Sequence, residues 1–108
     1  MTYDQAKIIF DALDCTKLHS LRDDLIENAI RYSEIRVKWY FADDDTKREI
    51  DEERTRIHNL FIDSCNILSR AMIKEGENAD WRLHLGNDRK VIGDFACYIH
   101  LFIGLKSR

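Results

Sequence analysis

Tyr3, Ala6, Ile9, Phe10 and Leu13 recur at three- and four-residue intervals, a spacing that lines one face of an α-helix. Thr2 and Gln5 stand three apart at the start of this run, as a capping box requires: the hydroxyl takes an orphan backbone N–H and the amide reaches back. The pattern predicts a first helix over residues 3–13. The segment DCTKLHS breaks it, and Ser20 or Thr16 is placed to restart a helix. Leu18, Leu21, Leu25, Ile26, Ala29, Ile30, Ser33, Val37, Tyr40 and Phe41 then follow one broad face to about residue 42.

Asp43-Asp44-Asp45 stops this second helix and supplies acids to the positive end of the next. Thr46 and Glu49 form a second capping box. Beyond it Ile50, Ile57, Leu60, Phe61, Ser64, Ile67, Leu68 and Ala71 describe one stripe, ending at Gly76, a natural C′ residue. The connection over residues 76–87 (GENADWRLHLGN) has room for one short helical turn presenting Trp81, Leu83 and Leu85. Asn87 or Asp88 caps a last helix to about residue 105. The expected fold is all-α: a single domain over residues 1–108, bundle-like, with four helices and a short helical turn in the 76–87 connection.

The last helix is apolar on nearly every side, which places it in an interior. Gly93, Cys97, His100 and Gly104 share a narrow face of mostly small side chains that lets another backbone approach. The first helix, about eleven residues and roughly 16 Å, is too short to cover a last helix of about 27 Å. Soluble monomers rarely keep a large sticky patch, so a homodimer is expected, with Leu101, Ile103 and Leu105 against the second copy.

The chain has 108 residues, no proline and four glycines, a composition that favours long helices over a many-turned β fold. At 44% hydrophobic and 34% charged it belongs with soluble globular proteins. A formal charge of −3 argues against nucleic acid or anionic lipid as a partner. Residues 43–53 hold seven acids against Lys47 and Arg48, whereas residues 82–108 hold five bases against Asp88 and Asp94. No stretch reads as a signal peptide or membrane span, and three widely spaced cysteines suit reduced thiols, so a cytoplasmic location is expected.

Three constellations bear on chemistry. Cys15 and His19, and Cys97 and His100, each lie one helical turn apart, a spacing zinc can use. The pairs are eighty residues apart in the chain with no Cys-x-x-Cys, so neither metal nor cofactor is expected. On the third helix, Arg54 and His58 share a face with Asp51 a turn earlier. A histidine there could act as general acid–base on an RNA phosphodiester while the arginine stabilises the phosphorane. This resembles the Arg…His signature of the HEPN ribonucleases, small all-α dimers, although here only three residues separate the two and the motif lies on the third helix of four. The commoner alternative is a solvated helix edge of i,i+4 charge pairs.

The run KVIGDFACYIHL is similar to the metal-binding helix of the MazG-type nucleotide pyrophosphatases, with Asp94 at the magnesium-binding aspartate position. Val91 stands where that family has a glutamate, which removes half of the ligand pair. The alternative for Asp94 is exposure near the helix start, or pairing with Arg89 or Lys90. Finally, Glu52, Asn59, Asp63, Asn66 and Arg70 line one polar side of the third helix, and its low-propensity asparagines suggest a partner contact. The overall expectation is a non-catalytic protein-interaction or regulatory module that self-associates. The alternatives are a HEPN-like ribonuclease using Arg54 and His58, or a degenerate pyrophosphatase using Asp94.

Overall fold

The computed structural model describes residues 1–107, and the chain forms five helices: α1 (Tyr3–Asp14), α2 (His19–Phe41), α3 (Asp44–Lys74), α4 (Asp80–Leu85) and α5 (Arg89–Lys106). The fold is all-α, as the periodicity predicts, and the expected helical turn in the fourth connection is the six-residue α4. Thr2 and Gln5 close their capping box on α1. Asp88 caps α5 by accepting from the Lys90 and Val91 backbone N–H groups. Gly76 and Gly86 take φ of 76° and 68°, left-handed backbone that ends α3 and α4 where an L side chain would be strained.

Two caps differ from expectation. Asp43, not Thr46, caps α3, its side chain accepting from the Thr46 N–H at 2.8 Å. Asp44 and Asp45 then occupy the first turn, where the helix dipole favours negative charge, so the acidic triplet starts a helix as well as ending one. α2 begins at His19 with no side-chain cap. Thr16 is instead buried, donating to Glu77 at 3.1 Å and accepting from the Leu18 N–H, which ties the α1–α2 turn to the end of α3.

Directions follow from the cross-helix pairs. Asn28 meets Ser64, Tyr32 meets His58 and Phe61, and Trp39 meets Arg54, so α2 runs antiparallel to α3. Ser33 meets His100 and Arg36 meets Asp94, so α2 is antiparallel to α5 as well. α1 lies alongside α5 in the same sense, from Met1 beside Asp94, through Phe10 against Phe102, to Asp14 paired with Lys106. The core joins Phe10, Leu25, Tyr32, Phe61, Leu68, Phe95 and Ile99, each worth about 1.5–3 kcal/mol on burial.

The covering of α5 corrects the length argument. Because α1 and α5 run side by side, α1 reaches from Asp94 to Lys106, and its twelve residues suffice for that flank. What stays uncovered is the outward side of α5, between α1 and α2. Leu101 and Leu105 lie on it, exposed, whereas Ile103 turns the other way and packs against the core. The small-residue face has a different use from the one expected. Arg36 of α2, rather than another backbone, lies across Gly93, where an added Cβ would come within 2.9 Å of its guanidinium carbon.

Candidate functional site

Arg54 and His58 both face α2, and both are taken up by packing. His58 is only 7% exposed. Its ring meets Tyr32 edge-on at 5.1 Å, and Nδ1 lies 3.3 Å from the Asn59 side-chain oxygen, with Nε2 on the far side of the ring. That Nε2 is buried and finds no hydrogen-bond partner among the described residues. Burial lowers the His58 pKa, and the positive charges of Arg89 and Arg54 push the same way against the Asn59 hydrogen bond. A general base must reach a substrate proton, and this nitrogen faces protein.

Arg54 is held twice over. Its guanidinium stacks on Trp39 at 4.0 Å from the ring centroid and bonds Asp51 at 2.9 Å. Lys47 lies over the same indole at 4.7 Å, so Trp39 pins the α2–α3 corner with two cations. Asp94 is likewise spent, though not on Arg89 or Lys90. Arg36 approaches it at 3.0 Å and the amino terminus at 3.7 Å, both brought in from other elements by the packing of α5. No three His, Cys, Asp or Glu side chains converge on a metal-sized site among the described residues.

The polar stripe of α3 divides. Asn66 accepts from Arg82 Nε at 2.8 Å, and Arg82 also holds the Gly86 carbonyl and the Asn87 side chain, so Asn66 fastens α4 to α3. Asn59 serves His58. Asp63 borders a cleft of about 440 Å³ between α2 and α3 that it shares with Asp24, Glu27 and Arg31. Arg70 is exposed.

Three further concavities have no signature in the sequence. The largest, about 1070 Å³, is an open apolar groove between α1 and α4 floored by Ile9, Met72 and Trp81. Its Trp81 Nε1–H is donated to the Met72 sulfur at 3.3 Å, and Glu77 on its rim is engaged by Thr16 and Lys17. The other two lie end to end along the α2–α5 seam. One, about 400 Å³, is lined by Ser33, Cys97, His100, Leu101, Gly104 and Leu105. The next, about 490 Å³, lies between Val37, Tyr40, Phe41 and Arg54 and meets the first at Cys97. Val37, Tyr40 and Phe41 lie on the stripe that predicts burial of the second helix, but they are exposed, with Val37 and Tyr40 bordering the same cleft as Cys97 of α5.

Comparison with protein-family models, with curated proteins and with solved structures finds no match to this chain. Among the described residues no helix is long and apolar enough to cross a membrane.

Proposed function

We infer that this protein is a non-catalytic helical module that works by binding protein, with the α2–α5 seam as its docking surface. One observation carries the reading: Val37, Tyr40, Phe41, Leu101 and Leu105 form an exposed apolar strip along two packed helices, with polar residues around it. Apolar patches of this kind mark interaction sites on soluble proteins. The engagement of Arg54 by Trp39 and Asp51, and of Asp94 by Arg36, supports the same reading, since the groups that chemistry would need are holding the fold.

Incubation with RNA, and with nucleoside triphosphates plus magnesium, tests it. The expected result is no turnover. Turnover abolished by His58→Ala would overturn the reading in favour of a ribonuclease, and turnover abolished by Asp94→Ala in favour of a pyrophosphatase.

A further inference from the structure

The seam has a shape that suits one partner in particular. On α2, Ile26, Ile30, Ser33, Val37 and Tyr40 alternate four and three apart; on α5, Asp94, Cys97, Leu101 and Gly104 do the same. These are the spacings by which helices pack at shallow angles in bundles, and the two antiparallel rows flank one groove. The groove is uneven along its length. At one end Tyr40 and Phe41 stand out from the surface. At the other, Ser33, His100 and Gly104 surround a cleft of about 400 Å³, and a Cβ added at Gly104 would meet nothing within 4 Å.

Projection and hollow lie at mirrored places. Ser33 is level with His100, so Phe41 lies eight residues one way, roughly 12 Å, and Gly104 four residues the other, roughly 6 Å. A two-fold axis crossing the seam near Cys97 and Arg36 exchanges the two ends. We propose that a second copy of the chain seats on the α2–α5 seam about such an axis, with Tyr40 and Phe41 of each copy filling the Ser33–His100–Gly104 cleft of the other. The proposal rests on the seam being a protein-binding surface and names its occupant.

Area and charge agree with a second copy. Val37, Tyr40, Phe41, Leu101 and Leu105 are 50, 71, 79, 47 and 44% exposed. With aromatic side chains of about 150–250 Å², the strip leaves on the order of 500 Å² of apolar surface, near the top of the range for a monomer's largest patch. Its polar rim brings it toward the roughly 800 Å² per partner of a standard interface. Within the strip the charged pair Arg36–Asp94 is already neutralised internally. The rim residues Glu34 and Lys38 lie two residues on either side of Arg36, so the same rotation brings Glu34 of each copy toward Lys38 of the other. An isologous contact needs this self-complementarity of shape and sign.

Gly104→Trp fills the hollow without touching the folded core, and Phe41→Ser removes the projection. Sedimentation equilibrium of the full chain at tens of micromolar should show a dimer, and each variant a monomer with unchanged far-UV circular dichroism. In the dimer Cys97 lies near the axis, so its maleimide labelling should slow as the protein concentration rises through the dimerisation range, and should lose that dependence in Phe41→Ser. A monomeric unmodified chain overturns the proposal, and leaves the broader reading standing if another protein is captured on the seam and lost with Phe41→Ser. A dimer that survives both variants overturns the proposal too, because its contact lies elsewhere. Turnover on RNA or nucleotide would instead count against the module reading and leave this dimer test unaffected.

Discussion

The Arg36 side chain occupies the space that a Cβ on Gly93 would fill, its guanidinium carbon 2.9 Å from that position, and from there it reaches Asp94 at 3.0 Å. The missing Cβ of Gly93 therefore makes room for a close approach by α2. Gly93→Ala should displace Arg36 and cost on the order of 1 kcal/mol, the overpacking loss exceeding the helix-propensity gain. In an Arg36→Ala background the same change should stabilise by up to about 1 kcal/mol. Urea denaturation of the four chains of this cycle checks the sign reversal; equal effects in both backgrounds would dissociate Gly93 from Arg36.

Gly104 gives the contrasting case. Nothing lies within 4 Å of its missing Cβ, so Gly104→Ala should stabilise by about 0.5–1 kcal/mol through the unfolded chain and helix propensity alone. A thermal melt of the monomer at low concentration measures it.

His58 makes stability depend on pH. Its folded-state pKa is lowered below the ordinary histidine value of 6.5, chiefly by burial and further by Arg89 and Arg54. The unfolded chain therefore takes up the proton first as pH falls. Its contribution is fully present above pH 6.5 and is lost as pH drops from there toward the lowered folded value. His58→Gln should flatten the denaturation midpoint between pH 7.5 and 5, and an unchanged slope would remove His58 as its cause.

The three thiols should separate by reactivity. Cys65 is buried and its pKa is pushed up to about 12 by burial, while Cys15 is exposed at the C-cap of α1. Maleimide should label Cys15 first, Cys97 more slowly, and Cys65 only on unfolding, since the thiolate is the reactive form. Peptide mapping of the labelled chain reads the order.

Trp39 between Arg54 and Lys47 should carry the α2–α3 corner. Trp39→Leu keeps an apolar body but removes both cation–π contacts, so a loss of about 1–2 kcal/mol is expected. A double-mutant cycle with Arg54→Met should show coupling; additive losses would mean that the stack is incidental.

The helices and most of their ends are legible in the amino-acid order alone. A 3.6-residue period, a Thr2–Gln5 box and glycines that need positive φ are local signals, set by backbone geometry within a turn or two. That order also indicates that α5 is interior and incompletely covered, because Leu101 and Leu105 are apolar whatever surrounds them. Which side of each helix meets which neighbour is set by packing between helices distant in the chain. Ile103 is two residues from Leu101, yet a rotation of about 200° puts it against the core, and packing alone selects which of the two is covered. The same holds for the candidate chemistry. Arg54, His58 and Asp94 are legible as a cation, a base and an acid. Their partners Trp39, Tyr32 and Arg36 lie fifteen to fifty-eight residues away in sequence and arrive only when α2 folds antiparallel between α3 and α5. The seam itself arises there too: Val37, Tyr40 and Phe41 follow the same stripe as the buried Leu25 and Ala29, yet they are exposed, because packing against α3 and α5 covers only part of that broad face.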